Sequence, residues 1–279
     1  MFKEREKTSL CPGCGNFPLR TALIEALEEM DLSLGDVVMF TGIGQAAKMP
    51  HFMEVNGYNG LHGRALPPAI GMRIANHDLE VIVESGDGCS YGEGGNHFIH
   101  NIRRNPDIIH LVHNNQIYGL TKGQASPTTG EDIKTEVQPN GITAKPFNPL
   151  RIALSAGATF VARAFVGKRE ELKKLIKKAM DHRGYALIDI LQPCVSFNKI
   201  NTYKWYSERV YEMENHDIES LESAFKKAGE WGEKIPLGIF YKEEREIFRD
   251  KFAGLKNEEI LVNRNLSGIE IGELIKDLQ

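Results

Sequence analysis

Two short stretches of this chain carry side chains whose types and spacing can do chemistry. The first is ESGDGCSYGEGGNHF, followed at a distance by HLVHNNQIYGLT. Asp87 stands between Gly86 and Gly88, so the backbone can turn sharply there and approach a ligand closely. A helix read after the turn would aim its free N–H groups and its positive dipole at the same point. That is a place for phosphate with a carboxylate beside it, and the two repel unless a cation sits between them. Magnesium asks for hard oxygen ligands. Asp87, the amide oxygen of Asn115 and the carbonyl of Ile117 can supply three, and phosphate oxygens and water the rest. The second stretch is CPGCGN, where Cys11 and Cys14 flank a tight Pro12-Gly13 turn.

Chemistry at these points needs elements that bring them together. Between Gly88 and Asn114 lie 25 residues, enough for one helix and one adjacent strand, so that the two loops meet at neighbouring strand ends. A GDG turn and an NN pair at that spacing resemble the fingerprint of thiamine diphosphate sites.

Apolar runs predict strands at Asp36–Gly44, Leu79–Glu84, Ile108–His113, Thr159–Phe165 and Ala186–Leu191. Helical spacing predicts a helix from Phe17, capped by Asn16, and others near Gly94–Arg104 and Arg169–Asp181. A loop and helix are expected in LHGRALPPAIGMRIANHD. Strands alternating with helices predict an α/β fold, a doubly wound and mostly parallel sheet with ligands at the strands' carboxyl ends. After about Asn198 strand signals fade. Helical stretches at Asp217–Lys234 and Glu243–Phe252 flank an apolar island, IPLGIFY. The expected division is a cofactor-binding domain at 1–198 and an extension at 199–279 that packs on it or on a partner.

Composition narrows the function. The chain has 279 residues, 41% hydrophobic and 26% charged, with a formal charge of −4. No basic field suggests nucleic acid. No apolar run approaches the ~20 residues of a membrane span, and the charged N-terminus does not read as a signal peptide. A cytoplasmic protein is expected. Its four cysteines (Cys11, Cys14, Cys89 and Cys194) suit metal or cluster thiolates better than disulfides.

Taken in order, CPGCGN, TGIGQAAKMPH, LHGRALPPAIG, GDGCSYGEGGNHFIH, NNQIYGLTKGQ and IPLGIFY resemble the beta subunit of two-subunit 2-oxoacid:ferredoxin oxidoreductases. The resemblance implies coenzyme-A-dependent oxidative decarboxylation of a 2-oxo acid, with thiamine diphosphate and Mg2+ as cofactors. Asp87, Asn115 and Ile117 would hold magnesium, and Gly88, Cys89, Gly119 and Leu120 would line the diphosphate. Cys89 would serve as a small buried residue through its backbone. Ile43, Gly44, Gln45, Ala46 and His62 would lie near the thiazolium and substrate. Lys48 would face the substrate carboxylate and Lys122 the coenzyme A side.

The family usually carries an iron–sulfur cluster on four cysteines. Cys11, Cys14 and Cys194 match three, but Gln45 stands where the fourth would be, and an amide is a poor ligand for iron. Three readings follow: a three-iron or labile cluster, a non-cysteine fourth ligand, or no cluster. The resemblance also places the carboxylate that activates the aminopyrimidine on an alpha subunit, near a YPITP-like motif absent here. Within this chain the acids near the motifs are Glu54, Glu84 and Glu93. The implied partners are an alpha subunit and ferredoxin. The alternatives are a subunit of a non-oxidative thiamine-diphosphate decarboxylase and a non-catalytic cofactor-binding scaffold. Pyruvate, 2-oxoglutarate and branched-chain acids all stay open as substrates.

Overall fold

The computed structural model describes residues 2–5, 8–131, 133–256, 259–265, 267, 272 and 276. Its strands are β1 (Val37–Thr41), β2 (Asn56–Asn59), β3 (Glu80–Gly86), β4 (Ile108–Asn114), β5 (Phe160–Phe165), β6 (Tyr185–Leu191), β7 (Val210–Glu212) and β8 (Ile235–Lys242). Its α-helices are α1 (Asn16–Glu29), α2 (Met49–Phe52), α3 (Leu66–Ala75), α4 (Gly95–Arg104), α5 (Pro149–Ser155), α6 (Arg169–Met180), α7 (Tyr203–Ser207) and α8 (Leu221–Ala228). A π-helical turn spans Gly88–Glu93.

All eight strands form one sheet in the order β2-β1-β3-β4-β6-β5-β8-β7. Every pairing is parallel except that of β5 with β8. The central strands are apolar on both faces, as a sheet covered twice requires. Alternation sorts their side chains into two layers. Met39, Ile82, Leu111, Ala162 and Ile188 join the layer under α1 and α6. Phe40, Val83, Val112, Val161 and Leu187 join the layer under α3, α4, α5 and α8. Helix α6 shows the local logic. It buries Leu172, Leu175, Ile176, Ala179 and Met180. Glu170 and Glu171 sit in its first turn and Lys177 and Lys178 in its last, matching the helix dipole.

Two expectations need correction. Asn16 does not cap α1; Gly15 occupies that position without a side-chain bond, and the Asn16 side chain instead turns to His113. The chain after Asn198 is not purely helical. IPLGIFY is β8, with Ile235 and Phe240 fully buried, and the expected Asp217–Lys234 helix is only Leu221–Ala228. Glu243–Phe252 holds a single short 3-10 turn at Phe248–Lys251. β8 pairs with β5 residues such as Arg163, opposite Gly238, so far back in the chain that the pairing leaves no local periodic signal beyond the strand's apolarity.

Candidate active site at four strand ends

The carboxyl ends of β1, β3, β4 and β6 open into one cavity of about 110 Å3. Ile43–Ala46 line it after β1, Gly86–Cys89 at the end of β3, Asn115 and Ile117–Thr121 after β4, and Gln192 and Cys194–Phe197 after β6. The start of α1 adds Cys11, Cys14 and Asn16, and the loop before α3 adds His62. Every residue expected to bind cofactor or cation thus lines one cavity, as do the three cysteines of the cluster pattern. Lys48 and Lys122 do not line it: Lys48 is half-buried in a short 3-10 turn, and Lys122 is exposed.

The turn after β3 is built by close packing. A Cβ on Gly88 would fall into the Tyr118 ring, one on Gly92 would lie 2.6 Å from the Tyr118 hydroxyl, and one on Gly94 would lie 2.6 Å from the Cys89 carbonyl. Asp87 is 1% exposed. Its Oδ2 accepts hydrogen bonds from Ser126 Oγ and Thr128 Oγ1, both at 2.6 Å. Burial pushes its carboxyl up to about 6 against the opposing pull of the two hydroxyls. A buried carboxylate raised in this way is relieved by a cation, so the donor set fits a divalent metal bound with phosphate. The Cys89 thiol is also used. It accepts from the Gly63 N–H at 3.2 Å and the Ile43 N–H at 3.4 Å, joining three cavity loops.

The turn after β4 is built by side chains. Asn115 Oδ1 accepts from the Ile117 N–H at 3.0 Å. Gln116, between them, is left-handed (φ 58°) and 2% exposed. Beside the turn, the Tyr118 hydroxyl donates to Glu93 Oε2 at 3.0 Å, and that carboxylate lies 3.2 Å from His62 Nδ1. His62 is therefore part of a His62–Glu93–Tyr118 cluster at the rim.

Below the cavity most polar groups are paired into the core, while Glu84 Oε2 and Arg163 Nε and Nη1 have no hydrogen-bond partner among the described residues. Thr128 also reaches Asn114 Oδ1 at 2.9 Å, and Asn114 Nδ2 donates to Asp189 Oδ1 at 3.1 Å. Tyr91 donates to the same Asp189 oxygen at 2.9 Å, and Arg163 Nε lies 3.6 Å from Oδ2. Burial raises the Asp189 carboxyl, with Arg163 pulling the other way. His113 bridges Glu84 Oε1 at 2.6 Å and Asn16 Oδ1 at 2.8 Å. Glu84 is thus spent inside the core. Glu93 is spent at the rim, and Glu54 is exposed. Among the described residues Asp87 is the only carboxylate lining the cavity, and no lysine or arginine lines it.

The cysteines fit a four-thiolate cluster poorly. Burial raises the Cys14 thiol, and the neighbouring Cys194 and Cys11 add to the rise. Gln45 Nε2 donates to the Ser9 carbonyl at 2.8 Å, while its Oε1 is buried without a partner among the described residues. Among the described residues no three His, Cys, Asp or Glu side chains are grouped to hold a metal ion.

Sequence reasoning missed Tyr118, Ser126, Thr128 and Gln192. Ser126 and Thr128 lie between β4 and α5, where the described residues form no named helix or strand and the sequence offers no periodicity. Its one signal was the run SPTT, rich in short hydroxyl donors.

Residues 34–190 match the family described as thiamine pyrophosphate enzyme, C-terminal TPP binding domain. Residues 194–257 match the family of the C-terminal part of the pyruvate ferredoxin oxidoreductase beta subunit. A 2-oxoacid:ferredoxin oxidoreductase subunit beta from Saccharolobus solfataricus is 44% identical over 84% of this chain and 81% of its own. A 2-oxoglutarate synthase subunit KorB from Archaeoglobus fulgidus is 32% identical over 89% of this chain and 90% of its own. The chain also superimposes on 2-oxoglutarate:ferredoxin oxidoreductase from Magnetococcus marinus, solved with 2-oxoglutarate, coenzyme A and succinyl-CoA bound. The TM-score is 0.91 at 35% identity, covering 99% of this chain and 94% of that one.

Proposed function

The chain belongs to the beta subunits of 2-oxoacid:ferredoxin oxidoreductases, and we propose that it binds Mg2+ and thiamine diphosphate for coenzyme-A-dependent oxidative decarboxylation of a 2-oxo acid. Thiamine diphosphate, when bound, supplies the carbon nucleophile and the electron sink. The protein's part is to hold and orient it. Asp87, Asn115 through its amide oxygen and Ile117 through its carbonyl would hold the cation. Gly86, Gly88, Cys89, Gly119 and Leu120 would line the diphosphate, and Ile43–Ala46 and His62 the reacting end. We divide the chain at about residue 198 into this cofactor domain and an extension that packs on it. A cytoplasmic setting, with ferredoxin as electron acceptor, goes with the reading; among the described residues no helix is long and apolar enough to cross a membrane.

One observation carries the shared-site part of the proposal. Among the described residues the cavity is lined by a single carboxylate, which the cation would take, and by no cationic side chain for a substrate carboxylate. The group that activates the aminopyrimidine and the groups that bind substrate therefore come from a partner alpha subunit. The three thiols here do not fit a four-cysteine cluster. The test is reconstitution. The isolated chain is expected to show no coenzyme-A-dependent oxidation of any 2-oxo acid, a missing acid–base group costing typically ~10²–10⁴-fold. Adding an alpha subunit with a YPITP-like segment should restore it. Turnover by the isolated chain, lost on Glu54→Gln, would overturn the shared site.

A further inference from the structure

We propose that the segment after β6 is a clamp for the cation turn, and that Asn198 and Tyr206 are its positioning residues. The inference rests on the magnesium reading above. Three carbonyls of the turn Asn114–Ile117 go to different partners. The Asn114 carbonyl accepts from the Gln192 N–H at 3.0 Å. The Asn115 carbonyl accepts from Asn198 Nδ2 at 3.1 Å. The Gln116 carbonyl accepts from Thr129 Oγ1 at 2.6 Å. No described residue donates to the Ile117 carbonyl. Three of four carbonyls are consumed, and the one left over is the candidate ligand.

The same segment holds the backbone in an unfavourable shape. Gln116 is left-handed, which for a residue with a Cβ costs roughly 1–2 kcal/mol. Such a conformation persists where its surroundings over-determine it. Here Gln116 Nε2 donates to the Tyr206 hydroxyl at 2.7 Å, and Tyr206 is fully buried on α7. Helix α7 is itself capped, Thr202 Oγ1 accepting from the Trp205 N–H at 3.3 Å. Asn198 is equally fixed. Its Oδ1 accepts from the N–H groups of Ile200 and Asn201, at 3.1 and 3.0 Å, and its Nδ2 also donates to Asn201 Oδ1 at 3.1 Å. A rigid loop therefore sets two adjacent peptides of the turn. Magnesium demands near-octahedral oxygens and tolerates displaced ligands badly. Release of this clamp should be felt as weaker metal binding before it is felt as unfolding.

The experiment is a Mg2+ titration of the thermal shift produced by thiamine diphosphate, on the beta subunit in complex with its alpha partner. Tyr206→Phe removes one hydroxyl. Tyr203→Phe is the control, because it lies on the same helix and makes no bond to the turn. Tyr206→Phe is expected to raise the half-saturating Mg2+ concentration about 10-fold, a value in keeping with one lost buried hydrogen bond. Tyr203→Phe should leave it unchanged. Gln116→Gly, which removes both anchor and strain, should also raise the Mg2+ requirement while sparing the metal-free melting temperature. It serves as the second reading if Tyr206→Phe fails to fold. If Tyr206→Phe and Tyr203→Phe move the midpoint alike, or Tyr206→Phe lowers only the metal-free melting temperature, the clamp is wrong. If the wild-type shift needs no Mg2+ at all, the magnesium reading falls and the clamp with it.

Discussion

Two turns lie side by side at the ends of neighbouring strands, and they are made in opposite ways. The turn after β3 is shaped by what is missing: Gly88, Gly92 and Gly94 have no room for a Cβ. The turn after β4 is shaped by what is present. Gln116 carries a full side chain in a left-handed conformation and is held by Tyr206 and Thr129. Glycine packing is a local device, and it leaves its mark in the sequence where it acts. Side-chain anchoring borrows its partners from distant residues, and it leaves none. The proposed cation site needs both, with Asp87 on one turn and Asn115 and Ile117 on the other.

The largest expected effect removes the charge the two turns share. Asp87→Ala should abolish Mg2+-dependent stabilisation by thiamine diphosphate, which at a hundred times the dissociation constant is about 2.7 kcal/mol in the wild type. An unchanged thermal shift would show that the turns do not meet at a cation. Next comes the packing of the first turn. Gly88→Ala forces its methyl into the Tyr118 ring, and overpacking of this kind costs typically ~1–3 kcal/mol, so cofactor binding should weaken roughly 10- to 100-fold. Equilibrium dialysis of the double variant with Tyr118→Ala should show partial recovery. If the single variant binds normally, the first turn is not held by its lack of side chains.

The hydroxyls that hold Asp87 come third. Ser126→Ala with Thr128→Val leaves Oδ2 without its two donors, and each such bond is worth ~0.5–1.5 kcal/mol. Mg2+ affinity should fall about 10-fold with little loss of melting temperature. A large unfolding effect with unchanged affinity would make them core residues and nothing more.

The smallest effect on binding is expected from His110, which ties β4 to the first turn through Ser90 Oγ at 3.2 Å and bonds Tyr185 at 2.6 Å. Burial holds its imidazole down at about 3. The folded state therefore keeps His110 neutral, and protonation favours the unfolded chain. Its contribution is whole above the ordinary histidine value of about 6.5 and is lost as pH falls toward 3. One pH unit below 6.5 should cost about 1.4 kcal/mol. Denaturant melts at pH 7.5 and 5.5 should show this slope flattened in His110→Asn. An equal slope in both proteins would assign the acid sensitivity elsewhere.

The sequence alone determined the α/β class and the strands β1, β3, β4, β5 and β6 that build the centre of the sheet, and it singled out Asp87, Asn115 and Ile117, which the fold brings to one cavity. It could do so because apolar runs, glycine-flanked acids and cysteine spacing are short-range patterns. It also announced its own departure, Gln45 in place of a thiol. Tertiary structure alone decided that Asn16 turns from capping α1 to pair with His113, that IPLGIFY becomes an antiparallel strand beside β5, and that Glu84 and Glu93 bond to neighbours and leave Asp87 as the single acid lining the cavity among the described residues. Only the fold could bring Ser126 and Thr128 onto Asp87, about 40 residues away, and Tyr206 onto Gln116, 90 residues away. A hydrogen bond between distant residues depends on where two loops end in space, and a pattern of neighbours along a chain carries no record of that.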